Sequence, residues 1–272
     1  VTQVTAQMLM KGTRKRSAEE LAGTLESRGG GLMAQGDVHR LILGADVMRG
    51  DEALGMDLIA DLALNARLSA DQLPLIQKRQ IAAIREEQED PLTVALRLCR
   101  KKVFAGAPYV RTALGSEPSV KKLTAADCRS LLSQHMNGAN GVVSVFGDVK
   151  AKAVRKLVEK AFARLPKGKR DTSGATAFGS EAKPGEWVQR LDKEQAVLVI
   201  GFRTVGLRDA DACALSLIDE ACSDMGSRLF NRIREELGLA YYVGAQAFGA
   251  LGAGAFYFYV GTDPKKIVLA EE

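Results

Sequence analysis

Apolar residues recur at helical spacing through much of the chain and alternate in a few short stretches. Ala18, Leu21, Ala22 and Leu25 share one helical face behind Ser17-Ala-Glu-Glu20, a capping box in which serine and glutamate satisfy each other's backbone N–H groups. The triple glycine Gly29-Gly30-Gly31 predicts the end of that helix, since positive φ costs glycine little. Leu32–Val47, with Val38, Leu41, Ile42 and Leu43, predicts a hairpin or strand pair. Leu54, Leu58, Ile59 and Leu62 predict a helix over Asp51–Ala66. Ser69-Ala-Asp-Gln72 reads as a second capping box, opening a long helix that runs to about Glu89 and is bounded by Asp90-Pro91. Further helices are predicted over Val1–Lys11, Val94–Lys102, Thr124–His135 and Val149–Leu165, and GVVSVFG (Gly141–Gly147) predicts a buried strand.

Pro166–Gly185 is rich in Gly, Lys, Ser, Thr and Pro and has little periodicity, which marks a linker. Beyond it, Trp187–Leu191 and Ala196–Thr204 predict strands, and Asp209–Ala221 and Ser227–Leu237 predict helices, the second stopped by Gly238. Tyr241–Phe248 and Ala255–Val260 predict a pair of strands. Helices with antiparallel-looking strands in each half give an α+β fold class. The expected organisation is a first α+β half over residues 1–165, a linker over 166–186, and the start of a second half over 187–272. The chain opens without a methionine in helix-like sequence and stops at Ala270-Glu271-Glu272, just after a helix start at Thr262-Asp263-Pro264. An interior piece of a longer polypeptide is therefore expected.

Composition narrows the chemistry. The 272 residues are 46% hydrophobic and 26% charged, an ordinary soluble balance with ample core material. Apolar runs such as Val197–Phe202 fall far short of the ~20 residues of a membrane-spanning helix. Lys and Arg exceed Asp and Glu by 38 − 33 = +5. Basic runs such as Lys11–Arg16 and Arg100–Lys102 are dispersed, which favours solvated surface over nucleic-acid binding. Cys99, Cys128, Cys213 and Cys222 have no CxxC spacing and read as small core residues, compatible with the cytoplasm and with a periplasmic or envelope location. The two histidines, His39 and His135, lie 96 positions apart and read as surface or satisfied core residues, so no His-rich metal site is expected. No GxSxG is present to support a serine-hydrolase reading.

Two stretches carry the most information, Gln3–Thr13 and Arg228–Val243. MLMKGT (Met8–Thr13) precedes the first capped helix, and GGGLMA (Gly29–Ala34) follows it. FAGAPYVRTALGS (Phe104–Ser116), VVSVFGDV (Val142–Val149) and SRLFNRIREELGLAYYV (Ser227–Val243) come later, in that order. Together they resemble, over nearly the whole chain, the pitrilysin/insulinase-type zinc metallopeptidases, which include the mitochondrial processing peptidase. Those proteins carry H-x-x-E-H on a helix, then M-L-x-K-G-T, a helix and a G-G-x-L-x-A strand. The resemblance implies two structurally repeated halves, each a mainly antiparallel sheet packed with helices.

Anchored on Met8, the resemblance sets the first zinc histidine on Gln3, the catalytic glutamate on Ala6 and the second histidine on Gln7. The third ligand, a glutamate ahead of an isoleucine, falls on Ala83, and 83 − 7 = 76 fits the family spacing. Zinc takes imidazole, thiolate or carboxylate donors, so two carboxamides and two methyl groups hold none, and no metal is expected on this chain. Glu86 and Glu87 lie about a turn away and lack histidine partners.

The second half of the family supplies an arginine and a tyrosine that bind the substrate carbonyl and oxyanion opposite the zinc. These fall on Arg234 and Tyr241 at the family interval, 241 − 234 = 7. On the residues alone, Arg234 equally complements a helix dipole and Tyr241 equally packs a strand. Gly238 suits a left-handed cap that turns the chain back between the two, and both groups donate hydrogen bonds to a developing oxyanion. Tyr241 and Tyr242 alternate, so one is expected toward the sheet core and the other toward the cleft. Gly31, Leu32, Met33 and Ala34 match the family's substrate-binding edge strand, with Met33 where the family has asparagine; the alternative is a helix stop followed by an ordinary strand.

By resemblance to heterodimeric bacterial processing-type peptidases, the chain is expected to be the zinc-less partner of a zinc-bearing homologous subunit. Zinc, water and general base would come from that partner, and Arg234 and Tyr241 from this chain across a clamshell-like chamber. The pair would hydrolyse peptides or unfolded protein, with this chain inactive alone. The alternative is a non-catalytic peptide-binding or structural scaffold of the same fold, as a heterodimer or homo-oligomer.

Overall fold

The computed structural model describes residues 1–171 and 183–271. The elements in chain order are α1 (Thr2–Leu9), α2 (Ala18–Glu26), β1 (Gly31–Gly36), β2 (Leu41–Asp46), α3 (Glu52–Asn65), α4 (Leu73–Glu89), α5 (Pro91–Val103), α6 (Glu117–Lys121), α7 (Ala125–His135) and α8 (Ala151–Ala161). They continue with β3 (Ala196–Thr204), α9 (Ala212–Ser223), a π-helical turn over Phe230–Glu236, β4 (Ala240–Gly249), β5 (Gly254–Thr262) and α10 (Ile267–Glu271). The fold is α+β, with helices beside a two-stranded and a three-stranded antiparallel sheet. Two compact units form: one from Val1–Ile84 with Thr112–Thr172, the other from Arg85–Arg111 with Ser173–Glu272. The expected linker over 166–186 lies partly outside the described residues.

In the first unit, local sequence chemistry is visible at each boundary. The Ser17 hydroxyl accepts from the Glu20 N–H at 3.1 Å, and the Glu20 carboxylate accepts from the Ser17 N–H at 2.7 Å. The Gly30 N–H closes α2 on the Leu25 carbonyl, with Gly29 at φ +73°. A side chain on Gly30 would meet the Asp46 carbonyl at 2.4 Å, so the strand pair starts only because glycine stands there. β1 and β2 then pair antiparallel, Met33 opposite Gly44 and Ala34 opposite Leu43, as the alternation predicted. Thr124 and Asp127 form a capping box that opens the expected helix α7. One core gathers Val4, Met8 and Leu9 of α1 with Leu73 and Ile76 of α4 and Cys128 of α7; another joins Leu21 and Leu25 to Leu58 and Leu62 of α3.

The stretch after MLMKGT is held by a buried carboxylate. Asp61 accepts from the Thr13 hydroxyl at 2.8 Å, from Asn65 Nδ2 at 2.7 Å and from Arg16 Nη1 at 2.7 Å, and Arg16 also reaches Asp57. Burial alone would raise the Asp61 carboxyl; these three donors more than offset it, so it titrates below its ordinary value. A depressed native pKa stabilises the fold above the unfolded value of about 3.9, and that stability is lost as pH falls through the native pKa. The urea midpoint of the protein is therefore expected to drop below about pH 4, and Asp61→Asn to flatten that drop while lowering the midpoint at neutral pH.

Four expectations are corrected. Ser69 makes no side-chain cap; a short 3₁₀ turn over Ala70–Gln72 leads into α4, because Pro74 lacks the N–H that an α-helix begun at Ala70 would use. Gly141–Gly147 is neither a strand nor buried, with Val142 89% and Phe146 93% exposed. Trp187–Leu191 is likewise not a strand, and Trp187 packs its ring against Lys102 Nζ at 4.9 Å. In both, apolar content signals an affinity for burial, but a strand also needs a neighbour's backbone donors, and no described strand pairs with either. Finally, the predicted helix over Ser227–Leu237 is wound as a π-helical turn.

The second unit is built on a sheet of order β3-β5-β4. Its core collects Phe104 and Tyr109, from the segment after α5, with Ala253, Ala255 and Tyr257 of the β4–β5 hairpin. Phe104 stands edge-on to Tyr109 and to Phe248, each at 5.5 Å. Cys99 sits over Gly201, where any side chain would lie 2.3 Å from its sulfur, and burial raises the Cys99 thiol to about 11. Cys99 is a partly buried thiol packed on the core and Cys128 is fully buried, as expected of small core residues, whereas Cys213 is exposed, which corrects that expectation for it.

Candidate functional site

The Arg234–Tyr241 segment is shaped by three unusual backbone features in a row. The π-helical turn closes with the Leu237 N–H on the Arg232 carbonyl at 3.2 Å, five residues back. Gly238 follows at φ +59°, the left-handed conformation its place predicted. The Thr262 hydroxyl donates to the Leu239 carbonyl at 2.5 Å and Lys266 Nζ to the Gly238 carbonyl at 3.3 Å, anchoring the return to the sheet. Ala240 then pairs with Thr262 and Tyr242 with Gly261, leaving Tyr241 as the extra residue of a β-bulge.

The bulge separates the two tyrosines. Tyr242 lies over Gly261 and 6.4 Å from the Tyr259 ring, and burial raises its phenol above the ordinary value. Tyr241 is 57% exposed and turned out of the ladder. Arg234 is also exposed; its guanidinium stacks on Phe230 at 4.9 Å and forms no ion pair among the described residues, whereas neighbouring Arg232 is bound to Glu236 at 2.6 Å. Leu229 and Ile233, just before Arg234, line an open apolar depression of about 290 Å³ together with Leu198, Val243 and Phe258.

In the first unit, the positions that match zinc ligands do other work. Ala6 is buried in α1, and Gln7 and Ala83 are half-buried on α1 and α4. Gln3 Oε1 accepts from the Gly36 N–H at 2.9 Å, pinning α1 to the end of β1. The two backbones are close enough that a side chain on Gly36 would strike Thr2 at 2.5 Å. Among the described residues no group of three or more His, Cys, Asp or Glu side chains converges. This donor set, two carboxamides and a methyl group, does not fit zinc. Gln3→Ala leaves the Gly36 N–H without its acceptor and is expected to cost about 1 kcal/mol, read as a lower urea midpoint.

Gly31, Leu32, Met33 and Ala34 form the start of β1, which pairs with β2 on one side. Met33 is exposed and lies against Gly44. The Asp61 network and the Gln3–Gly36 bond escaped the sequence reading. Asp61 was legible as a lone acid inside an apolar helical run; the Gln3 bond depends on a contact 33 residues away and left no local signal.

The family profile described as "Insulinase (Peptidase family M16)" matches residues 1–114, and "Peptidase M16 inactive domain" matches residues 122–272. A protein named an uncharacterized zinc protease of Mycobacterium tuberculosis is 29% identical over 262 residues, covering 95% of this chain and 60% of the relative. A non-peptidase homolog of Helicobacter pylori is 25% identical over 240 residues, covering 88% of this chain and 55% of its own length. The chain thus spans about six-tenths of the curated relatives it matches. Among solved structures, a peptidase M16 inactive domain from Pseudomonas fluorescens superposes with a TM-score of 0.88 at 20% identity, over 99% of this chain and 66% of that one. A protease from Helicobacter pylori gives 0.84 at 17% identity, over 99% and 68%. With both halves matched in order and the zinc donors replaced, the chain belongs to peptidase family M16, as a member lacking the zinc site.

Proposed function

We propose that this chain is the zinc-less partner of a zinc-bearing homologue and that Arg234 and Tyr241 act in trans on the peptide the partner cleaves. The observation that carries this reading is the bulge at Tyr241: it lifts a phenol out of the ladder seven residues from an arginine without an acidic partner among the described residues. Fixed backbone geometry on both sides of Gly238 means that little reorganisation is needed when charge develops. In this mechanism the Tyr241 O–H and an Arg234 N–H donate to the scissile carbonyl oxygen and hold it as its negative charge grows. A zinc ion on the partner would supply the activated water, and this chain's own contribution is the two donors. The edge of β1 at Gly31–Ala34 that no described strand pairs with suits an extended peptide, by backbone pairing.

The test is peptide hydrolysis and zinc content of the protein alone and mixed with a zinc-bearing M16 homologue. Activity in the mixture only, with no zinc on this chain, supports the reading. The second reading is a peptide-binding or structural scaffold without catalysis, favoured by the replaced zinc donors at Gln3, Gln7 and Ala83. Peptide bound but never cleaved in the mixture would establish that instead. Zinc and activity in the protein alone would overturn both.

A further inference from the structure

The outer edges of β4 and β1 are closed to different extents, in each case by side chains of a helix. In the second unit the Ala250 N–H bonds the Ala253 carbonyl at 2.9 Å. Bonded and non-bonded pairs alternate along an antiparallel ladder, so Ala245 and Ala247 turn their backbone groups away from β5. Two side chains of α9 meet them there. Asp219 accepts from the Ala247 N–H at 3.2 Å, and the Ser223 hydroxyl donates to the Ala245 carbonyl at 2.8 Å. The middle of the β4 edge is thus occupied by the protein's own groups, which keeps another strand off it. In the first unit the same alternation starts from the Asp37 N–H, which bonds the Arg40 carbonyl at 2.9 Å. It leaves Leu32, Ala34 and Gly36 of β1 with their N–H and C=O groups directed away from β2. Gly36 is met: its N–H donates to Gln3 Oε1 at 2.9 Å, and the Thr2–Gln3 backbone stands where a side chain on Gly36 would be, which buries that residue. Among the described residues no hydrogen bond reaches the outward groups of Leu32 and Ala34.

We infer, resting on the reading that β1 takes an extended peptide, that Gln3 sets where that peptide stops. Pairing runs along Leu32 and Ala34 and ends at Gly36, because the next donor on the edge is already bonded. A peptide that displaced Gln3 would exchange one hydrogen bond for another of the same kind, so extra length at that end brings no further affinity. Gln3 therefore fixes the length of backbone that is recognised, and does so through the acceptor oxygen of its carboxamide. The β4 edge, closed at its middle instead of its end, offers no comparable run of outward groups beside Ala245 and Ala247.

The test is amide hydrogen exchange combined with titration of capped peptides of alternating valine and lysine, in increasing length. In the free protein the Gly36 amide is expected to exchange slowly and those of Leu32 and Ala34 fast. Peptide should slow the latter two and leave Gly36 as it was, and affinity should stop rising once the peptide covers them. Gln3→Met keeps the length of the side chain without its acceptor. It should let Gly36 exchange fast until peptide is added, and let one further pairing step raise affinity about three- to tenfold. Gln3→Glu, which retains an acceptor, should keep the wild-type limit, and Ser223→Ala, which removes an edge bond from β4, should change neither reading. Leu32 and Ala34 protected before peptide is added, or no peptide bound by any variant, would overturn the peptide reading of β1 and the role of Gln3 with it. Peptide that slows Leu32 and Ala34 but shows the same length limit in Gln3→Met, or an equal effect of Ser223→Ala, would overturn the role of Gln3 alone.

Discussion

Tyr241→Phe is expected to reduce peptide hydrolysis by the mixed pair about 10²–10³-fold, mainly in kcat. The substitution deletes one oxygen from a side chain that is exposed and has no partner on β5, so the bulge and the fold should survive. An unchanged urea midpoint beside the lost rate would separate a transition-state donor from a packing residue. Arg234→Lys should also fall, because a lysine keeps the charge but not the planar fork that reaches a carbonyl oxygen from a stacked position over Phe230. If Tyr241→Phe leaves the rate within a factor of a few, the phenol does not face the reacting carbonyl and the scaffold reading gains.

Phe104→Ala should produce the largest loss of stability, about 3–5 kcal/mol. Phe104 is fully buried, and two aromatic rings meet it edge-on. Truncation removes those contacts, and the cavity lies against Arg100, whose guanidinium stacks 4.1 Å from the Phe248 ring and donates to the Tyr109 carbonyl at 2.7 Å. Collapse into the gap would disturb that hydrogen bond, so relaxation should recover little. Urea denaturation followed through tyrosine absorbance would read the loss; a cost under about 1 kcal/mol would mean that the ring cluster is not a cooperative part of the second unit.

Much of this fold was legible because its signals are local. Ser17 with Glu20, Thr124 with Asp127, the three glycines and the alternation of β4 and β5 each act within a few residues and needed no tertiary information. The failures share a cause. Gly141–Gly147 and Trp187–Leu191 have the composition of strands, but pairing is decided by what lies alongside, which a segment's own residues do not record. The candidate site divides in the same way. The Arg234–Tyr241 interval and the turn at Gly238 were readable, whereas the bulge that exposes Tyr241 arises from register against β5. In the first unit the replaced donors could be read off the chain, but not the new duty of Gln3.

The π-helical turn constrains which changes in chain length this protein tolerates. Phe230–Glu236 carries an extra residue relative to α-helical winding, so deleting one residue there would be absorbed without breaking the ladder, as the turn rewinds to an α-helix. Residues on either side of the deletion would keep their phase, because the wide turn is what takes up the extra residue, and only those inside it would shift by one position. An alignment that places a gap in this heptapeptide, or a designed chimera that crosses over inside it, would thus keep both Arg234 and Tyr241 in the sequence while changing the backbone that presents the arginine.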